Sequence, residues 1–568
     1  MLRNENFRIN LFMVFVLVVA GLVGYRLFVL SVVNHSAYSR TAQAQNENIS
    51  NVIARGNIYL SNGGSETILA ATNKKFPLAY VVPSQVESKE GAIEALSKIL
   101  GIDQEEVRQK LNSKSENLKV ITRRITNQQV DEIKNLKIKG VGVSYELDRF
   151  YPGDRLASNV MGFLGYRPEG IRAGQYGVEE YYDQDLFGKE TNVYNFLAVN
   201  PFSFFNKKPA TESQFDKPND IVLTIDKNIQ IFTEDRLKNI IEKWKAEKGV
   251  VIVQEPKSGK ILAMASWPNF NPNEYKNFEP RYFLNGVTQE VYEPGSSFKP
   301  VTMSAGLDLA KITPQTTYED KGFLNISGYA IHNFSNKVFG LQTMTQVLEK
   351  SINTGVMFVE NLIGDDNFLD YVVNMGFGQK TGVDLPGEVS GDITNLYSGR
   401  KINYLTASFG QGIAVTPLQL LNAYSTIANG GKLMRPHILD KIIKEGGEEV
   451  LTKPEIVSIP ISEKTAVKLQ SMLVGVVDNG FDKARITGYD IAGKTGTAQI
   501  PDGSGGYSEN EFIHNFVGFA PAYNAQFAIL IKMDKPQGIA FAADSLSPTF
   551  KEIATFLINY YGIPPTRR

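Results

Sequence analysis

The chain has 568 residues, with 59 basic and 60 acidic side chains, no cysteine and four histidines. Its length predicts three or four structural units, its 42% apolar content allows buried cores, and a net charge of −1 argues against a nucleic-acid partner. The absent cysteine excludes disulfide scaffolds, thiolate metal sites and cysteine nucleophiles, while His35, His332, His437 and His514 are too scattered to suggest a metal site or a Ser-His-Asp hydrolase. No metal or cofactor is expected, and what remains is chemistry run by Ser, Lys, Asp or Glu.

Residues 9–25 form an apolar run of 17 positions in which only Asn10 is strongly polar. At ~1.5 Å per residue this gives about 26 Å, close to a ~30 Å hydrocarbon core. Arg3 and Arg8 precede it, which predicts a cytoplasmic N-terminus and an exported remainder. Ala42-Gln43-Ala44 has the look of a cleavage site but lies too far from the run, so residues 1–34 are expected to be an uncleaved, single-pass anchor. Residues 35–216 alternate strand-like pieces (78–82) with helical periods (92–100) and close on a polar stretch, 206–219, with two prolines that read as a linker. Residues 217–568 then read as one α+β domain. The β-branched run 221–225 predicts a strand, and 249–253 and 260–264 flank Pro256-Lys257-Ser258-Gly259 as a hairpin. Helical periodicity dominates from 297 to 430, and strands return near 490–500 and 515–533.

Three short motifs carry chemistry. In Glu293-Pro294-Gly295-Ser296-Ser297-Phe298-Lys299-Pro300, Pro-Gly makes a turn and Pro300 fits a first helical turn. Ser296 and Lys299 then share one helical face, where a neutral lysine could take the serine proton. Lowering a lysine pKa from ~10.4 to ~7 requires about 4.6 kcal/mol of environment, which burial and a second cation can supply. Ser351-Ile352-Asn353 follows inside a helix-like stretch. Lys494-Thr495-Gly496-Thr497 has flanks that suit a strand edge, with Gly496 allowing close backbone approach.

Each motif has a decoy. Ser398-Gly399-Arg400-Lys401 reads as a surface turn, and Lys380-Thr381-Gly382 as a loop. Residues 488–495 fit G-x-x-x-x-G-K-[ST], but Gly496, Pro501, Gly503, Gly505 and Gly506 crowd the place where a P-loop helix must start.

Taken in order, Ser-x-x-Lys, Ser-x-Asn and Lys-Thr-Gly-Thr resemble the motif set of penicillin-binding proteins and serine β-lactamases. Residues 220–230, 249–270, 292–302, 407–419, 491–499 and 515–521 resemble a penicillin-binding transpeptidase domain. Ala54-Arg55-Gly56-Asn57, Arg149-Phe150-Tyr151-Pro152 and Gly177-Val178-Glu179 are similar to the pedestal of class B, monofunctional members, although Leu60-Ser61 stand where the family has Asp-Arg. His35 is the sole histidine before 332, which leaves no place for the glycosyltransferase motif of the bifunctional class. Stretches 376–388 and 407–419 look more like division-type than elongation-type members.

The resemblance implies an α+β multidomain protein. Its parts are an anchor (1–34), a mixed α/β pedestal or dimerisation-like domain (35–216), and a transpeptidase domain (217–568) with a mainly antiparallel sheet covered by helices, as in serine β-lactamases. It implies a bacterial plasma-membrane D,D-transpeptidase that cross-links peptidoglycan stem peptides and is acylated by β-lactams. Ser296 is the implied nucleophile, Lys299 its base and Ser351 a proton relay, while Asn353 holds Lys299 and the substrate amide. Ser296 and Thr497 supply oxyanion-hole N–H groups, and Lys494, Thr495, Gly496 and Thr497 form the carboxylate site. A membrane glycan polymerase and other division proteins are the implied partners. A D,D-carboxypeptidase or β-lactamase, and a penicillin sensor without turnover, remain open alternatives.

Overall fold

The computed structural model of the protein describes residues 55–112, 118–166, 172–187, 218–326, 328–480, 482–501 and 506–567, with four isolated positions (13, 17, 20 and 21) before them. No helix among the described residues is long and apolar enough to cross a membrane. The expected anchor over 1–34, those four positions apart, lies outside them, as does most of the 206–219 linker.

The described chain forms two compact units. One contains Asn73–Asp148. Its helices Lys89–Leu100, Gln104–Leu111 and Asn127–Leu136 bury Ala92, Leu96, Val107, Val130 and Ile133 in one cluster with strand residues Ala79, Val81 and Ile121. The third helix opens on a capping box, Thr126 with Gln129, which satisfies two backbone N–H groups at its start.

The other unit contains Arg55–Thr72 and Arg149–Arg568. Strand Ile58–Ser61 pairs parallel with Asp220–Asp226, which sets Leu60 beside Leu223. The three pedestal motifs meet at one carboxylate. Glu179 takes Arg55 Nε and Arg149 Nε at 2.6 Å each, and the Tyr151 hydroxyl at 3.0 Å. Burial alone would raise that carboxyl, but the guanidiniums of Arg149 and Arg55 outweigh it and hold Glu179 below the usual range. Arg149 also donates to the Gly56 carbonyl at 2.7 Å.

The rest of this unit is built on a five-stranded, fully antiparallel sheet. Its strands are β1 (Lys248–Gln254), β2 (Ile261–Trp267), β3 (Ala492–Pro501), β4 (Tyr507–Ala520) and β5 (Phe527–Asp534), in the spatial order β3-β4-β5-β1-β2. β1 and β2 form the hairpin expected around Pro256–Gly259. Both faces are covered, which is why β1, β2 and β5 read as near-continuous apolar runs rather than alternating ones. Val251 and Val253 face one core with Ile229 and Leu237 of helix α1 (Lys227–Trp244) and with Phe550 and Leu557 of the C-terminal helix Ser547–Tyr560. Val250 and Ile252 face the larger core, with Phe298 and Val301 at the start of α2 (Lys299–Asp308) and Leu418 and Leu421 of α4 (Pro417–Ala428); α3 (Asn353–Ile363) packs into the same cluster.

The stretch 297–430 is not continuously helical. Thr317–Asp320 pairs with Gly340–Thr343, and Phe323–Ile326 pairs with Tyr329–His332. Gly322 and Gly328, in the turns between them, take φ of +84° and +87°, and Gly340, which opens its strand, takes +68°, outside the α-helical range.

Candidate active site

Ser296 lies in the single-turn 3₁₀ segment Gly295–Phe298 that runs straight into α2. Its turn is held from three directions. Gly295 N–H donates to the Gly410 carbonyl at 3.0 Å, and a Cβ on Gly410 would sit 2.2 Å from the Gly295 oxygen. Tyr424 hydroxyl donates to the Ser297 carbonyl at 2.8 Å, and Asn515 Nδ2 to the Pro294 carbonyl at 3.0 Å. Gly496 of β3 lies against the same turn: a Cβ there would meet Pro294 O and Asn515 Nδ2, each at 2.5 Å.

Lys299, one turn on from Ser296, is fully buried. Its Nζ donates to the Ser351 carbonyl at 2.5 Å and to Ser351 Oγ at 3.2 Å. Burial, and then the charge of Lys494, push its ammonium well below the ordinary lysine value. Lys494 sits in mid-β3 opposite Val517, also fully buried, and burial lowers it to about 7. A fully buried lysine bonded to a carbonyl and a hydroxyl, with a second buried lysine nearby, makes this a site where lysine can act as a base.

Ser351 does not lie inside a helix. It occupies the break between Met344–Glu349 and α3 with φ +55°, so its side chain and its carbonyl are both presented to Lys299. Such left-handed non-glycine residues cluster at functional sites. The break is braced by a buried network: Thr354 Oγ1 and Asn333 Nδ2 donate to Asp320, and Thr354 N–H donates to Asn333. Asn353 Nδ2 donates to the His332 carbonyl at 3.2 Å, whereas both Lys299 bonds go to Ser351. Ser296 Oγ has no hydrogen bond among the described residues. Thr495 is buried, and Thr497 Oγ1 accepts the Ala542 N–H at 3.2 Å.

The decoys stand apart. Thr381 and Gly382 N–H groups bind the Glu388 carboxylate in a loop, and Lys401 pairs with Glu360 and Asp365 at 2.7 and 2.6 Å. Lys494 lies inside a strand that continues to Pro501, and the next described element is another strand, so the helix a P-loop needs at Lys494 is replaced by strand. The sequence does not mark Gly410, Tyr424 and Asn515 as supports of the turn. Two of them lie in stretches that carried the resemblance, but nothing local in the sequence marks their contact with Gly295, Pro294 or Ser297.

Residues 249–555 match the family description "Penicillin binding protein transpeptidase domain", and residues 51–200 match "Penicillin-binding Protein dimerisation domain". The chain belongs to the class B penicillin-binding proteins. It is 33% identical over 525 residues to stage V sporulation protein D of Bacillus subtilis, covering 90% of this chain and 79% of that one. A probable peptidoglycan D,D-transpeptidase PbpC of Pseudomonas aeruginosa is 31% identical over 441 residues, covering 77% and 75%. Among solved structures, penicillin-binding protein 3 of Mycobacterium tuberculosis complexed with ampicillin superposes with TM-score 0.66 at 28% identity, over 75% of this chain and 92% of that one. The penicillin-binding protein fold is therefore the fold of this chain, a mixed α/β architecture with the Ser296, Ser351 and Lys494 motifs converging at one place.

Proposed function

We propose that this penicillin-binding protein is a peptidoglycan D,D-transpeptidase with Ser296 as nucleophile. The observation that carries the reading is Lys299: buried, held below its ordinary pKa, one turn from Ser296 and bonded to Ser351. Neutral Lys299 takes the Ser296 proton as Oγ attacks the carbonyl between the last two D-alanines of a stem peptide. The tetrahedral oxyanion is received by the N–H groups of Ser296 and Thr497. Ser351 passes the proton to the leaving nitrogen, the C–N bond breaks, and D-alanine departs to leave an ester on Ser296. The amine of a neighbouring stem attacks that ester, loses its proton through the same Ser351–Lys299 route, and regenerates the serine with a new amide cross-link. Lys494, Thr495 and Thr497, with Gly496 admitting the donor, bind its terminal carboxylate, and Asn353 contacts the substrate amide. A β-lactam supplies the same acyl group and leaves a stable ester.

Residues 1–34 are read as the plasma-membrane anchor, 35–216 as the pedestal and 217–568 as the catalytic domain, which puts the site outside the cytoplasm beside its substrate. A membrane glycan polymerase and division proteins are the fitting partners. Relatives named peptidoglycan D,D-transpeptidases in Pseudomonas aeruginosa and Neisseria gonorrhoeae support the reading. The test has two arms. Fluorescent penicillin labels the wild type and not Ser296→Ala, and undiminished labelling of the variant overturns the nucleophile. A D-Ala-D-Ala donor with added amine acceptor yields cross-linked product; hydrolysis alone makes the protein a carboxypeptidase, and labelling without turnover makes it a sensor.

A further inference from the structure

Thr497 and His514 face each other across the β3–β4 ladder, so their side chains share one face of the sheet. His514 is fully buried. Its Nδ1 lies 2.9 Å from Ser545 Oγ, and that hydroxyl lies 3.4 Å from the Phe541 carbonyl. Ser545 ends the short helix Ala542–Ser545, whose first N–H, on Ala542, donates to Thr497 Oγ1 at 3.2 Å. A closed circuit therefore runs behind β3: from Thr497 to Ala542, through one helical turn to Ser545, to His514, and back across the ladder. Burial lowers the imidazole to about 4 against the pull of the Ala540 carbonyl, so the ring is neutral at working pH and acts through geometry. In either tautomer the Ser545 hydroxyl joins the ring to the turn.

A threonine hydroxyl has one proton and two lone pairs. The Ala542 N–H occupies the oxygen as a donor, so the hydroxyl proton cannot be spent on that neighbour and stays free to donate elsewhere. A donor held this way suits an anionic oxygen. We propose that His514 and Ser545 are positioning residues that fix the Ala542–Ser545 turn and so keep the Thr497 hydroxyl committed as a donor to the carboxylate of the acyl donor. This rests on the transpeptidase reading and deepens it.

The test compares acylation of the full chain by benzylpenicillin, which carries the ring carboxylate, with acylation by its methyl ester, which does not. Ser545→Ala and His514→Leu should slow benzylpenicillin by about 5- to 20-fold and the ester by less than about 2-fold, from the loss of one charge-assisted hydrogen bond. His514→Gln, which can still bond Ser545, should recover most of the rate. Equal losses for the two compounds, or no loss for either, overturn the inference. Ser545→Ala deletes one buried oxygen and carries the test if His514→Leu does not fold. A wild type that benzylpenicillin fails to acylate overturns the functional reading itself, an outcome distinct from a wild type that reacts and a Ser545→Ala that reacts equally well.

Discussion

Lys299→Arg isolates the proposed base from the cation it replaces. At an ordinary lysine pKa of ~10.4, only about 0.1% of side chains would be neutral at pH 7.5. Full burial and then the Lys494 charge push Lys299 well below that value, which enlarges the neutral fraction at that pH. Arginine, with a pKa above ~12, keeps a neutral fraction below about 1 in 10,000 under the same conditions. The second-order rate of acylation should therefore fall by roughly 10³- to 10⁴-fold, within the usual range for losing a general base. Incorporation of fluorescent penicillin over time at pH 7.5 reads the rate, and a thermal melt run in parallel shows whether the fold survives. The wild-type rate should hold level above the lowered Lys299 pKa and decline as pH drops through it. A folded Lys299→Arg protein acylated within tenfold of wild type would refute the reasoning.

Gly496→Ala puts a Cβ 2.5 Å from Pro294 O and Asn515 Nδ2, so it should displace the nucleophile turn and cut acylation by at least ~100-fold; a rate near wild type sinks the close-approach account. Lys494→Ala should reduce acylation far more than Lys380→Ala, whose loop binds Glu388 away from the site; equal effects would remove the basis for separating the two motifs. Glu179→Gln removes the carboxylate that two buried guanidiniums share, although Arg55 keeps Asp183 at 2.8 Å, and should cost about 3–5 kcal/mol in urea unfolding while the folded fraction still labels; a loss under ~1 kcal/mol contradicts it. Burial raises Glu234 to about 7, above the ~4.3 of an unfolded glutamate, so the folded state holds its proton more tightly. Its contribution to stability is therefore lost as pH rises from about 4.5 through about 7. Glu234→Gln can still accept from Gln230 and Ala157 and should lack that decline in melts taken from pH 5 to 8.

The sequence exposes the catalytic chemistry because the reacting groups are carried on local motifs. Ser296 and Lys299 need only one helical turn to meet, and the β1–β2 hairpin needs only its Pro-Lys-Ser-Gly turn. Ser351 was harder. Glu349, Lys350 and the apolar residues after Asn353 look helical, and no propensity reveals that the chain breaks at φ +55° so that a carbonyl can face Lys299. The strands between 317 and 343 were hidden inside apparently helical periodicity, although Gly322 and Gly328 mark their turns. The supports from Gly410, Tyr424, Asn515 and His514 act across 30 to 220 positions, and only the folded sheet and helices bring such residues together. The pedestal motifs likewise carried a family likeness but not the reason for it, which is the single carboxylate of Glu179.

Residues 73–148 leave the larger unit after Thr72 and rejoin it at Arg149. Thr72 Oγ1 donates to Asn57 Oδ1 at 2.8 Å, and Arg149 donates to the carbonyl of the adjacent Gly56. Departure and return are thus tied to one dipeptide, so the larger unit closes the excursion by its own bonds. Because loop-closure entropy grows only with the logarithm of length, the excursion could be lengthened, shortened or exchanged at small thermodynamic cost. A change in the length of 73–148 therefore leaves the Glu179 knot and the two points that tie the excursion where they are.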